Sequence, residues 1–184
     1  MHKSPEYDIC VIGGGAAGLV VAVGAATLGV KAALVEKSAL GGDCLHYGCI
    51  PSKTLIQSAK VAHTLANAER FGLPAHKPDI ELNAVMRHVQ QVIHQLEAHD
   101  SPERFEAMGV DVVFGAGQFL SKEAFQVGNR SLRAKNFVIA TGTCPTIPPL
   151  PGLAKTPYLT NETLFSVKEP IRHLLILGGG PIGC

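Results

Sequence analysis

The sequence predicts an α/β fold: a parallel sheet layered with helices, then a helical hairpin and a small β-meander. Three observations carry this expectation. An apolar run at residues 7–12 turns through Gly13-Gly14-Gly15 into an alanine- and valine-rich stretch, and a second apolar run follows at 31–36. Strand, helix and strand within about thirty residues make a β-α-β unit, which is built right-handed with parallel strands. Residues 79–98 then repeat apolar side chains at helical spacing, and beyond 110 the pattern shifts to short strand-like segments.

Each element has its own signal. Residues 7–12 are apolar except for Asp8, as a short buried strand requires. Residues 17–28 read as a helix that Gly29 ends, since a left-handed residue is the common helix terminator. Residues 31–36 supply the second strand. The cysteine-bearing segment leads into a helix running to about Phe71, broken by Gly72-Leu73-Pro74. Leu82, Val85, Met86, Val89, Val92, Ile93 and Leu96 form a narrow stripe, so this helix is expected to pack on its predecessor as a hairpin. Residues 110–114, 117–120, 124–127 and 136–140 read as strands, with Gly128-Asn129 as a turn. Five prolines between 145 and 157 mark an extended connection. Residues 174–177, Leu-Leu-Ile-Leu, are expected as a new buried strand leading into Gly178-Gly179-Gly180-Pro181-Ile182-Gly183. We therefore read residues 1–170 as the first, incomplete part of one domain and 171–184 as the truncated start of another, in a piece of a longer protein.

Composition bounds the function. With 46% hydrophobic and 17% charged residues in 184, the chain is globular. A net charge of +1 without a basic block offers nothing to nucleic acid. Residues 9–30 are uncharged and long enough to span a bilayer, but the glycines would break a helix near its start, so no membrane partner is expected and the cytoplasm is the default. Five cysteines, a pair and scattered singles, suit a reducing compartment rather than a disulfide scaffold.

Gly13-x-Gly15-x-x-Gly18 stands between a strand and a helix, with Glu36 eighteen residues past Gly18. In such a fingerprint the first glycine permits the turn, the second admits a pyrophosphate and the third lets helix and strand pack closely. The phosphate charge rests on unpaired N–H groups at the helix start. An acid ending the second strand accepts from ribose hydroxyls. The reading is a dinucleotide site.

Cys44 and Cys49 lie in Gly41-Gly42-Asp43-Cys44-Leu45-His46-Tyr47-Gly48-Cys49-Ile50-Pro51-Ser52-Lys53. Two structural thiols are one reading and a redox pair another. A metal site is not expected, because no second Cys/His pair has suitable spacing and His88, His94 and His99 fall on different sides of their helix. Cα atoms five positions apart in an ideal helix are roughly 8–9 Å apart, beyond the usual disulfide span of about 4.4–6.8 Å. A bridge here requires a distorted first turn, for which Gly48 supplies the freedom. A helix start favours a thiolate, and Lys53 one turn on reinforces it. Cys10, inside the first strand, reads as a small buried hydrophobe.

That cysteine segment closely resembles the active-site signature of the pyridine nucleotide–disulfide oxidoreductases, which include dihydrolipoamide dehydrogenase, mercuric reductase and glutathione reductase. Ala140-Thr141-Gly142-Thr143 with Pro145 and Pro151-Gly152 resembles the family's second flavin motif, and 177–183 the opening of its NAD(P) domain. The resemblance implies a Rossmann-like FAD-binding domain and an FAD-dependent oxidoreductase that uses NAD(P)H. Cys49 would face the flavin and Cys44 would meet the substrate. Gly13, Gly15, Gly18 and Glu36 would hold the adenosine end of FAD, and Lys53 would sit near the flavin ring. Gly42, Gly117, Thr141 and Gly142 match other cofactor-binding positions. It further implies a small disulfide, dithiol or metal-ion substrate and a homodimer at full length, with this piece alone inactive. The alternative is a nucleotide-binding module with structural cysteines. Departures from the family pattern are Asp43, where threonine is common, and His46 and Tyr47 between the cysteines, where they bear on thiol reactivity and substrate access.

Overall fold

A computed structural model describes residues 5–183. In chain order the elements are β1 (Tyr7–Ile12), α1 (Ala16–Thr27), β2 (Ala32–Glu36), α2 (Gly42–His46), α3 (Cys49–Ala66) and α4 (Leu82–Glu97). There follow α5 (Pro102–Ala107), β3 (Val110–Phe114), β4 (Gly117–Ser121), β5 (Ala124–Val127), β6 (Arg130–Ile139) and α6 (Asn161–Leu164). The chain divides into two compact units, residues 1–45 with 95–144 and residues 46–94 with 145–184.

The first unit is built on a six-stranded sheet of order β3-β2-β1-β6-β5-β4. β1, β2, β3 and the C-terminal part of β6 are parallel, while β4, β5 and the start of β6 run antiparallel. The sequence reading began the last strand at 136. It begins at Arg130, and its ten residues serve both parts: Arg130 to Arg133 pair with β5, and Ala134 to Ile139 with β1. The meander is thus an extension of the parallel sheet. Gly128, at φ +53°, takes the left-handed conformation that a two-residue hairpin between β5 and β6 demands.

Pleat alternation gives the sheet two buried faces. Val11, Leu34 and Val110 point to one, with Leu19 and Ala22 of α1 and Phe105 of α5. Cys10, Ala33, Val35 and Val113 point to the other, with Phe125, Val127, Leu132 and Ala134 of the meander. Strands buried on both faces read as continuous apolar runs, which is why β2, Ala-Ala-Leu-Val-Glu, is buried throughout. The uncharged stretch 9–30 is divided between β1, the glycine turn and α1. Among the described residues no helix is long and apolar enough to cross a membrane.

A polar clasp ties the N-terminal ends of the strands. The Tyr7 hydroxyl donates to Asp111, and Arg130 donates to Asp111 and, at 2.6 Å, to the Tyr7 oxygen. Burial, then the Asp111 hydrogen bond and charge, push the Tyr7 phenol far above its ordinary value. Burial also pushes the Asp111 carboxyl up, but the hydrogen bonds from Arg130 and Tyr7 more than offset this and leave it below the usual carboxylate value.

In the second unit α3 ends at Ala66, where the Asn67 amide donates to the His63 carbonyl at 2.7 Å. A 3-10 turn then carries the chain to Gly72, which is left-handed. On α4 the apolar stripe supplies the buried Met86, Val89 and Ile93. α3 instead leaves Ile56, Val61 and Leu65 exposed, so these apolar side chains supply no seam for the hairpin expected from the stripe. One expectation fails: residues 174–177 are not a strand, and Leu175 is 84% exposed. A strand holds its shape through hydrogen bonds to a neighbouring strand. None of the six strands pairs with this segment, so apolar composition alone does not form one.

Candidate functional site

The parallel strands β1, β2, β3 and β6 all end on one side, at Ile12, Glu36, Phe114 and Ile139. Ligands in open α/β sheets bind outside these carboxyl ends. Glycines gather there in left-handed conformations, with Gly13 at φ +109°, Gly41 at +97°, Gly115 at +141° and Gly142 at +68°.

Three close backbone approaches shape the turn. A Cβ on Gly18 would overlap the Gly13 carbonyl oxygen and lie 2.9 Å from its carbon, so α1 meets the end of β1 only through a bare glycine. A Cβ on Gly13 would overlap the Ala140 carbonyl and reach 3.0 Å from Thr141 Cα, which brings the two sequence motifs together. A Cβ on Gly42 would fall 2.7 Å from Gly15 Cα, while one on Gly15 would meet Gly42 Cα at an ordinary contact distance of 3.7 Å. Gly41 N–H donates to Gly14 at 2.9 Å, joining the start of α2 to the turn.

The donor set at this turn fits a dinucleotide. Gly15 caps α1 with no side-chain hydrogen bond, and the first turn carries no acid, so an anion meets helix-terminal N–H groups without competition. Glu36, 7% exposed, stands beside it. Its Oε2 accepts from Gly14 N–H at 2.6 Å, and its Oε1 accepts from Ser38 N–H at 2.9 Å and Ser38 Oγ at 3.1 Å. Such charge-assisted hydrogen bonds contribute roughly 1.5–3 kcal/mol each and fix the orientation of the carboxylate. An acid of this kind suits a ribose diol.

Of the other residues singled out from sequence, Thr141 and Gly142 are exposed just past β6. At Gly117 a Cβ would overlap the Phe125 ring and stand 2.5 Å from the Gln126 carbonyl oxygen. The requirement there is packing in the meander, beside the T-shaped Phe119–Phe125 pair. Four residues escaped the sequence reading. Gly14 and Ser38 hold Glu36, Gly41 joins α2 to the turn, and Gly115 N–H donates to the Glu36 carbonyl at 2.8 Å. The signal for Gly14 and Gly41 was present, as the remaining glycines of Gly13-Gly14-Gly15 and Gly41-Gly42.

The cysteines fall on two helices. Cys44, half-buried, lies in α2, and exposed Cys49 is the first residue of α3, with the helix broken at Tyr47-Gly48. The break supplies the distortion that a five-residue bridge requires. Gly48 caps the start of α3 without a side-chain hydrogen bond, and the first turn carries no acid. Lys53, exposed, lies one turn beyond Cys49. His46 and Tyr47 present tilted rings 6.0 Å apart, and Tyr47 is exposed. Cys10 is inert by contrast: burial, with a smaller push from the Asp111 charge, moves its thiol up to about 11. Cys144 is exposed past β6.

In the second unit the glycine pattern recurs. Gly178 is left-handed at φ +108°, and a Cβ on Gly183 would overlap the Gly178 carbonyl oxygen and lie 3.1 Å from its carbon. This repeats the Gly13–Gly18 contact at the same spacing.

Comparison with known proteins agrees with this geometry. A family model described as pyridine nucleotide-disulphide oxidoreductase matches residues 7–184. The dihydrolipoyl dehydrogenase of Acholeplasma laidlawii is 38% identical over 98% of this chain and 55% of its own length. The mercuric reductase of Lysinibacillus sphaericus is 31% identical over 97% of this chain and 33% of its own. Among solved structures, the HOCl-induced flavoprotein disulfide reductase RclA from Escherichia coli superposes with a TM-score of 0.72 at 28% identity, covering 89% of this chain and 34% of that one. The chain therefore spans between about a third and about half of these relatives.

Proposed function

Because the chain belongs to the pyridine nucleotide-disulphide oxidoreductase family, we propose that its protein is an FAD-dependent oxidoreductase that passes electrons between NAD(P)H and a Cys44–Cys49 disulfide. The observation that carries this is the repeated glycine turn. One chain holds two dinucleotide-type backbone contacts, at Gly13–Gly18 and Gly178–Gly183, with a cysteine pair in the sequence between them. The family uses FAD and a nicotinamide nucleotide, and two such turns suit one site for each.

FAD, when bound, supplies two-electron exchange between a hydride donor and a disulfide. The protein's part is to bind and orient it. The start of α1 and Gly15 receive the pyrophosphate, Glu36 accepts from the adenosine ribose, and Gly42, Thr141 and Gly142 border the same turn. Cys49, at a helix start that favours negative charge, is the thiol for the flavin side, with Lys53 adding positive charge one turn away. Cys44 is the thiol for the substrate. Reduction of the bridge takes two electrons and two protons and leaves two thiols; the reverse direction oxidises a dithiol. The substrate is a small disulfide, dithiol or metal ion, as the names of the relatives suggest, and the full-length protein acts as a homodimer. Residues 171–184 open the nicotinamide-binding domain.

The test is the absorption spectrum of the full-length protein before and after anaerobic NADH, then NADPH. A flavin spectrum gaining a long-wavelength thiolate–flavin band, lost in Cys49→Ser and kept in Cys44→Ser, is the expected result. Bleaching without that band would remove Cys49 from the flavin side. No flavin at all would leave a nucleotide-binding module with structural cysteines.

A further inference from the structure

Glu36 is held from below as well as aimed at a ligand, and the residue that holds it is Ser38. We propose that Ser38 is a positioning residue for adenosine recognition, resting on the reading of Glu36 as the acceptor for the FAD ribose. β2 ends at Glu36, and the chain bends back at Lys37 and Ser38, so that Ser38 presents both its N–H and its hydroxyl to Glu36 Oε1 at 2.9 and 3.1 Å. The carboxylate offers about four acceptor positions. Two on Oε1 are taken by Ser38 and one on Oε2 by Gly14 N–H at 2.6 Å. The remaining lone pair, on Oε2, is directed by these three donors rather than by the flexible side chain of glutamate. That lone pair is the one left for a ribose hydroxyl.

The N–H at position 38 is available from almost any residue; the hydroxyl is what serine adds. Without it Oε1 keeps one donor, and the carboxylate gains rotational freedom about its terminal bond. Order that the apoprotein holds beforehand is order that binding does not have to create. Ser38 is exposed and packs into no core, so its removal leaves the fold intact.

The experiment uses the full-length protein stripped of flavin and titrated with FAD and with an FAD analogue lacking the adenosine 2′ and 3′ hydroxyls. Flavin fluorescence gives the affinities of wild type, Ser38→Ala, Ser38→Thr and Glu36→Gln. Ser38→Ala is expected to bind FAD about tenfold more weakly, about 1.4 kcal/mol. It is expected to bind the analogue as the wild type does, and threonine restores FAD affinity. Equal losses for both ligands, or no loss with FAD, overturn the role of Ser38. If Glu36→Gln also weakens FAD and the analogue equally, the ribose assignment of Glu36 falls, and the Ser38 role with it. If Glu36→Gln weakens FAD alone and Ser38→Ala does not, only the Ser38 role falls.

Discussion

Two glycines in α1 should respond to the same substitution with opposite signs. Gly18→Ala places a methyl group into the Gly13 carbonyl: its Cβ overlaps the oxygen and stands 2.9 Å from the carbon, where ordinary contact begins at 3.4 Å. The overlap with the oxygen is deeper than the contact with the carbon, so α1 must retreat from β1 by well over half an ångström, and the obstacle is backbone, which cannot rotate away as a side chain does. Overpacking of a tight site costs typically about 1–3 kcal/mol, and a rigid backbone neighbour puts this case near the upper end. Gly24→Ala, two turns on, meets nothing within 4 Å on an exposed face. There alanine lowers the entropy of the unfolded chain and gains roughly 0.5–1 kcal/mol. The expected gap between the variants is about 3–4 kcal/mol, a large share of a typical domain stability of about 5–15 kcal/mol. Urea denaturation followed by far-UV circular dichroism measures it. The flavin-free protein is the proper sample, since a bound ligand adds its own stabilisation to whichever variant retains it. A Gly18→Ala variant as stable as wild type, or a Gly24→Ala variant as damaged as Gly18→Ala, would refute the close-contact argument.

Other expectations concern charge and reactivity. Native protein reduced and then treated with a maleimide at neutral pH should be modified at exposed Cys49 and Cys144 and spared at Cys10, whose thiol is buried and pushed up to about 11; mass spectrometry showing early labelling of Cys10 would contradict its packing. Asp111 has its carboxyl held below the unfolded value, so it stabilises the fold above that value and loses its contribution as pH falls through the folded one. Asp111→Asn should therefore cost stability at pH 7, about 1 kcal/mol because the Arg130 partner is partly exposed, and the difference should vanish on acidification below 3.8. A difference that does not shrink on acidification in denaturation curves would argue against the ion pair. Asp43 is exposed in the first turn of α2, beside the Gly42 that lies against Gly15. Asp43→Thr should tighten FAD binding by up to about fivefold, the scale of an exposed charge interaction, with less gain at high salt. Weaker binding in the threonine variant would mean that the carboxylate assists rather than repels.

The parts of this protein legible in sequence are those whose causes are local. β1, the glycine turn, α1 and β2 declare themselves within thirty residues, because a left-handed turn needs glycine and a doubly buried strand needs an unbroken apolar run. The cysteine spacing likewise told that a regular helix could not carry both residues in bridging distance, and α2 does break at Tyr47-Gly48 before α3. Other features depended on partners far along the chain. β6 is ten residues long because its two halves find different strands, β5 and β1, a choice no window around Arg130 contains. Gly117 is glycine for the Phe125 ring, and Tyr7 meets Asp111 across 104 positions. Residues 174–177 show the converse: an apolar run with every local mark of a strand remains unpaired coil, since a strand's hydrogen bonds belong to its neighbour. Composition and spacing determined which residues can bend, bury or bear charge. Only the tertiary structure decided which of them meet, because hydrogen bonds and close contacts act over a few ångströms of space whatever their separation along the chain.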